Sequence, residues 1–152
     1  MRSWPGSLIA LGAALFIIAL AGSAIVVPQL RLLHFFQSLI YVAVVLLARR
    51  KVAWGYGAGV VIAVVWNSLE LFVTRNAQGG LVAFWTLLRT GQAHRVDTMM
   101  VSLGTAGHFI LIVGCLAAFL PEAGKAQWMR FAAGSVIALA YFAAIVATLA
   151  PR

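Results

Sequence analysis

The stretch "AWGYGAGVVIAVVWNSLELFVT", residues 53–74, decides the fold prediction. It is longer than the ~20 residues that a helix needs to cross the apolar core of a bilayer. Near its end the apolar run is interrupted by Asn67, Ser68 and Glu70, although the whole chain has only 3 Asp and Glu residues. The stretch therefore predicts a transmembrane helix that carries polar side chains near one end.

The composition extends this prediction to the entire chain. Of 152 residues, 64% are hydrophobic and 9% are charged, whereas soluble domains have roughly 25% charged residues. No stretch is long and polar enough to form a separate soluble domain. We therefore expect residues 1–152 to form a single all-α integral membrane domain, a bundle of about five transmembrane helices with one interfacial helix.

Hydrophobic runs set the predicted spans, and capping residues set their ends. The five predicted spans are residues 7–27, 32–48, 53–74, 99–120 and 130–150. The capping and terminating residues are Ser3 and Pro28 for the first span, Asn76 and Gly79–Gly80 after the third, Asp97 and Pro121 for the fourth, and Pro151 for the fifth.

The first span also has features of a secretory signal peptide. Arg2 precedes an apolar core and a run of small residues, "AGSA", at 21–24. The apolar run is longer than a usual signal core and continues beyond the candidate cleavage point. We therefore predict a retained helix, with a cleaved signal as the alternative.

Residues 81–92 form a segment too short and too polar to span a bilayer. Leu81, Phe84, Trp85 and Leu88 would share one face of a helix, with polar side chains away from the centre of that face. This pattern is typical of a helix that lies in the membrane interface. Re-entry into the protein is the alternative.

The basic residues indicate how the chain is oriented. Placing the N-terminus in the cytoplasm groups Arg2, Arg49, Arg50, Lys51, Lys125 and Arg130 on that side, and Arg31, Arg75, Arg89, Arg95 and Arg152 on the other. The cluster at 49–51 is the strongest local signal for a cytoplasmic turn. We predict an integral protein of a bacterial-type inner or plasma membrane with a cytoplasmic N-terminus.

The net charge of +8 does not predict nucleic-acid binding. The basic residues stand singly, or in the one short cluster, at the ends of apolar runs. Such a distribution fits lipid headgroups and control of topology rather than a stripe along a nucleic acid. The expected partner is the lipid bilayer, with no nucleic acid.

One face of the third span changes character along its length. Residues at spacings of four or three share this face; they are Gly55, Gly59, Ala63, Asn67, Glu70 and Thr74. Small residues such as the Gly55/Gly59 pair allow close helix packing in lipid, so this half predicts contact with a second copy or a larger membrane partner. The other half is polar and predicts a site.

Polar residues of two other spans enter from the same side of the membrane. They are His34, Gln37 and Tyr41 on the second span, and Thr105 and His108 on the fourth. From the helical rise, Glu70 lies roughly 6 Å and His108 roughly 14 Å inside the ends of their spans. The sequence therefore predicts a polar cavity in the half of the bilayer opposite residues 49–51.

Binding or movement of a small solute or of protons is the leading functional prediction, because ionisable side chains at membrane depth usually serve a function. Glu70 and His108 would form a proton relay, while Asn67, Tyr41 and Gln37 would orient the solute. The structural alternative is that Glu70 reaches the interface or pairs with an arginine.

Two other classes of function stay open. His34, Glu70 and His108 could supply two imidazoles and a carboxylate to a metal ion, or the two histidines could bind haem. The chain could also be a non-catalytic accessory subunit of a larger membrane complex. An enzyme is not favoured, since we find no nucleophile elbow, acidic pair motif or phosphate-binding glycine loop.

Overall fold

The computed structural model describes residues 4–149, which are helical almost throughout and contain no strand. The helices are α1 (Trp4–Val26), α2 (Arg31–Arg49), α3 (Ala53–Ser68), α4 (Asn76–Thr90), α5 (Val96–Phe119) and α6 (Lys125–Leu149). Short 3₁₀ turns at Pro28–Leu30 and Leu120–Glu122 extend α2 and α5, and a π-helical turn at Leu69–Val73 extends α3.

Five of these helices are long and apolar enough to cross a membrane, as the composition predicts. They are α1, α2, α5 and α6, together with α3 and its π-helical turn, and their ends differ from the predicted ends by a few residues. The predicted cap Ser3 and the terminal residues Ala150 and Pro151 lie outside the described residues. The end of the bundle that carries Arg49, Arg50 and Lys51 is called the basic end below.

The short helix begins earlier than predicted. Asn76 and Gly79–Gly80, predicted to end the third span, instead form the start of α4. The reason is packing, because the Thr98 carbonyl of α5 occupies the place of a side chain at Gly80. The Ser102 hydroxyl also donates a hydrogen bond of 2.6 Å to the Ala77 carbonyl. α4 therefore packs along the first turns of α5.

The outer face of α4 remains apolar. Leu81, Trp85 and Leu88 are exposed, whereas Phe84 is half-buried. The Arg89 guanidinium lies 4.6 Å from the centre of the Trp85 ring. An exposed apolar face with an arginine at its edge fits the predicted contact with a membrane interface.

The sequence predicts that Asp97 caps the fourth span from outside the helix, but Asp97 lies inside the helix. α5 begins at Val96, directly after Arg95 with its left-handed φ of 55°, so Asp97 is the second helical residue. Its carboxylate still lies in the first turn of the helix, where a negative charge is favourable.

α1 and α5 form the closest helix pair, and glycines make this possible. Gly104, Gly107 and Gly114 of α5 lie against α1, and Gly12 of α1 lies against Gly107. A Cβ at position 12 would stand 2.6 Å from the Gly107 carbonyl oxygen. Because small residues let backbones approach in lipid, this contact fixes how α1 sits on α5.

The Gly55/Gly59 face is occupied within the chain. A Cβ at Gly55 would stand 2.6 Å from the Leu47 Cβ, and one at Gly59 would stand 2.8 Å from the Cys115 sulfur. α2 and α5 therefore cover this face within the chain, and a larger membrane partner or a second copy stays a prediction. On the opposite side of α3, Gly57 meets the Phe131 carbonyl of α6.

Replacement of Gly12 by Ala is expected to destabilise the bundle by about 1–3 kcal/mol, the usual effect of overpacking. The added methyl group would collide with the backbone of α5 at Gly107 and Leu111. Gly79→Ala in α4 is the matched control, because a Cβ there meets only the Arg95 guanidinium, at 3.9 Å. The measurement is unfolding in mixed micelles followed by tryptophan fluorescence. Equal stability of the two variants would contradict the proposed close approach.

Candidate functional site

Three helices bring their polar side chains together at His108. The imidazole of this α5 residue is completely buried. Its Nε2 lies 2.7 Å from the hydroxyl of Tyr41 on α2, and its Nδ1 lies 3.0 Å from the amide oxygen of Asn67 on α3. The amide oxygen can only accept, so Nδ1 carries the proton; in the neutral ring Nε2 then accepts from the Tyr41 hydroxyl. These three residues are called the buried triad.

Aromatic rings enclose the buried triad. The Phe16 ring stacks on His108 with 3.9 Å between ring centres, and it lies 4.5 Å from the Tyr41 ring. The Trp66 ring lies 6.2 Å from His108. The sequence gives no sign that Phe16 and Trp66 contact the triad, because α1 is apolar on every side and Trp66 is one aromatic residue in a long apolar run. No periodicity distinguishes them from lipid-facing residues.

Four buried polar atoms on α2 and α3, one of them in the buried triad itself, have no hydrogen-bond partner among the described residues. They are the Nδ1 of His34, the Oε1 of Gln37, the Nε1 of Trp66 and the Nδ2 of Asn67. Gln37 lies one helical turn before Tyr41, and Trp66 precedes Asn67 directly. Buried polar groups in proteins are almost always paired, so a concentration of unpaired groups needs an explanation.

Glu70 is buried but does not form the predicted relay pair. Its carboxylate accepts a hydrogen bond of 2.7 Å from the Thr74 hydroxyl on the same chain segment. Both ring nitrogens of His108 have other partners. The reason is the position along the helix, since Asn67 is the residue of this segment that reaches His108 and Glu70 lies about one turn beyond it, in the π-helical turn.

Thr105 lies on the same helix as His108, as predicted, but its hydroxyl is used within that helix. It donates a hydrogen bond of 2.9 Å to the Val101 carbonyl. A hydroxyl that is satisfied by its own helix contributes little to a shared site. Of the predicted site residues, the structure thus joins Tyr41, Asn67 and His108 directly and leaves Thr105 apart.

The predicted metal-binding set is not assembled. In the part of the chain that the structure describes, no three His, Cys, Asp or Glu side chains lie close enough to hold a metal ion. Ligation by His108 would also require the loss of a bond to Tyr41 or Asn67. His34, Glu70 and His108 therefore do not form the expected two-histidine, one-carboxylate site, and the same bonds disfavour a bis-histidine haem.

An apolar layer separates the buried triad from the basic end. Val44, Ile62, Leu111 and Cys115 are all completely buried. Each follows or precedes a triad residue by a few positions on its own helix, in the direction of the basic end. The layer closes the path from the triad toward that end.

Two cavities lie on opposite sides of this layer. A cavity of about 580 Å³ lies at the basic end between the ends of α1, α2, α3 and α5. A smaller one of about 230 Å³ lies between α1 and α2 in the other half, and His34 and Arg31 line it. The cavity in the predicted polar half thus contains His34 but is not lined by Asn67 or His108, and the larger cavity lies at the end for which no site is predicted.

Comparisons of the chain with protein-family models, with curated proteins and with solved structures find no match.

Replacement of Tyr41 by Phe is expected to lower the free energy of unfolding by about 1–3 kcal/mol, because the buried His108 Nε2 would lose its partner. Tyr141→Phe is the matched control. It removes a hydroxyl that donates to the Phe36 carbonyl at an exposed position, so its effect should be smaller. The measurement is the same mixed-micelle unfolding.

A double-mutant cycle with Tyr41→Phe and His108→Phe tests the pairing itself. Directly bonded side chains should show a coupling energy of about 0.5–3 kcal/mol. Strict additivity of the two effects would argue against the bond between the phenol and the imidazole.

Proposed function

We propose that this chain is a membrane protein that binds a small, uncharged polar solute in the half of the bundle opposite the basic end. The buried triad positions the binding groups, and Asn67 and Gln37 contact the solute. The observation that supports this proposal is that both amide groups are buried and each has an unpaired polar atom, Asn67 within the triad and Gln37 one turn from Tyr41.

The unpaired atoms define the chemistry of the solute. The Asn67 Nδ2 and the Trp66 Nε1 can only donate hydrogen bonds, whereas the Gln37 Oε1 can only accept them. A solute with a carbonyl or hydroxyl acceptor and an N–H or O–H donor would satisfy all three. The unpaired set contains no carboxylate and no permanent cation, which favours an uncharged compound.

The Asn67 amide links the solute to the rest of the bundle. Its oxygen accepts the hydrogen bond from His108, so its NH₂ group is held in one orientation and is available to the solute. The Tyr41 hydroxyl fixes the opposite edge of the same imidazole. A change at either ring nitrogen would therefore reorient the binding amide.

Access is proposed from the side where α2 begins. His34 lies two turns nearer to that end than Tyr41 and lines the cavity between α1 and α2. On the other side, the layer of Val44, Ile62 and Leu111 is fully buried. Movement of the solute across the membrane would require these three side chains to separate.

Proton relay receives less support than solute binding. The Nδ1 proton of His108 is directed at an amide oxygen, which is a poor proton acceptor, and the Glu70 carboxylate is bonded to Thr74 instead. In proteoliposomes, Glu70→Gln is therefore expected to leave proton flux unchanged. A loss of flux in this variant would restore the relay hypothesis.

Mass spectrometry of small molecules extracted from the purified chain tests the proposal. The wild type should carry a polar compound in stoichiometric amount, and Gln37→Leu should lose it because the unpaired acceptor is removed while the bond between His108 and Asn67 is kept. Thr148→Ala is the control. The Thr148 hydroxyl is exposed, bonded to its own helix at Ala144 and outside both cavities, so this variant should retain the compound.

Other results of the same experiment would contradict solute binding. If no such compound is present and Gln37→Leu is more stable than the wild type, the polar cluster serves no ligand. Recovery of a stoichiometric membrane protein with the chain in mild detergent would then support the accessory-subunit role. Uptake of the identified compound by proteoliposomes distinguishes binding from transport.

A further inference from the structure

The cavity of about 580 Å³ at the basic end has the volume of a typical small-molecule site. Four helix ends form it: the start of α1, the end of α2, the start of α3 and the end of α5. The apolar layer at Leu111 and Ile62 separates it from the buried triad. It is therefore a second space, independent of the proposed solute site.

The walls of this cavity are chemically divided. Its inner part is apolar and is lined by Ile9, Ala10, Val45, Ala48, Ala117 and Ala118. Tyr56, which is only 6% exposed, brings a phenol to the same wall. Two cations, Arg49 and Lys51, and one carboxylate, Glu122, line it as well. Apolar and charged lining in one cavity is complementary to an amphiphile.

We propose that this cavity binds the phosphate-bearing head of an amphiphile. The phosphate would lie at Arg49 and Lys51, and the adjoining apolar part would lie against the apolar inner wall that contains Ala48, Ala117 and Ala118. The two cations outnumber the single carboxylate, which favours an anion. Basic pockets between transmembrane helices are a common binding place for lipid phosphate groups. A membrane lipid is the favoured source, because a free phosphate would leave the apolar wall without a partner.

The position of the cavity supports a lipid. Arg49 and Lys51 lie at the end of α2 and in the turn to α3, where a spanning helix would reach the headgroup region. Arg50, between them in sequence, does not line the cavity. The chain therefore provides its own control for the effect of a charge that is near the membrane but outside the site.

Native mass spectrometry of the full chain in a non-ionic detergent tests the proposal. The probes are dioctanoyl phosphatidylglycerol and dioctanoylglycerol, which has the same chains and no phosphate. One phospholipid should bind per chain, and dioctanoylglycerol should bind much more weakly. Arg49→Gln combined with Lys51→Gln should weaken phospholipid binding roughly thirtyfold, from about fivefold for each cation near a phosphate. Arg50→Gln should change it by less than about twofold, because this side chain is outside the cavity.

A second variant tests the cavity without a change in charge. Ala118→Leu places a larger side chain in the wall and should reduce phospholipid binding while Arg49 and Lys51 remain. Equal binding of the two probes, or unchanged phospholipid binding in the Arg49/Lys51 double variant, would overturn the proposal. Competition by inorganic phosphate identifies the source: displacement of the lipid assigns a site for the phosphate group alone, and retention of the lipid assigns a lipid site.

Discussion

The close approach of α1 and α5 at Gly12 and Gly107 is the constraint on which the rest of the bundle depends. In lipid no hydrophobic force draws helices together, so small residues that allow backbone contact decide which helices pair. This contact places Phe16 against the His108 ring. The ring is thereby held at the orientation in which its two nitrogens meet Tyr41 and Asn67 from two further helices. A packing contact between glycines thus determines the geometry of a polar cluster one turn away.

The bundle consequently has two chemically different halves. Polar side chains concentrate on one side of the layer formed by Val44, Ile62, Leu111 and Cys115, and an amphiphilic cavity lies on the other side. The layer is continuous because three helices each contribute a completely buried apolar residue just beyond their triad residue. Such a layer isolates the two spaces, so a ligand in one would affect the other only through movement of the helices themselves.

Hydrophobic run length predicted the helices well, because the thickness of a bilayer sets a simple requirement for length and composition. The shared polar face of α3 was also predictable, and Gly55, Asn67 and Glu70 are buried as this face implies. Helix pairing was not predictable. Phe16 lies in a helix that is apolar all round, so no periodicity shows which side meets α5. The π-helical turn at Leu69–Val73, and the cavity lined by residues from four helix ends, likewise result from tertiary packing rather than from local pattern.

The free energies of its hydrogen bonds and of its unpaired atoms indicate whether the polar cluster serves stability alone. Hydrogen bonds between membrane helices contribute about 0.6 kcal/mol on average and at most about 1.7. The two bonds of His108 therefore supply roughly 3 kcal/mol at the upper limit. Each buried polar atom without a partner costs about 1–3 kcal/mol, and α2 and α3 together carry four such atoms among the described residues. Even the lower limit for four atoms exceeds what the two bonds provide. An apolar side chain at Gln37 would remove an unpaired acceptor, whereas one at Asn67 would also cost the bond to His108. Stability alone therefore does not account for the Gln37 amide, and the proposed polar solute would.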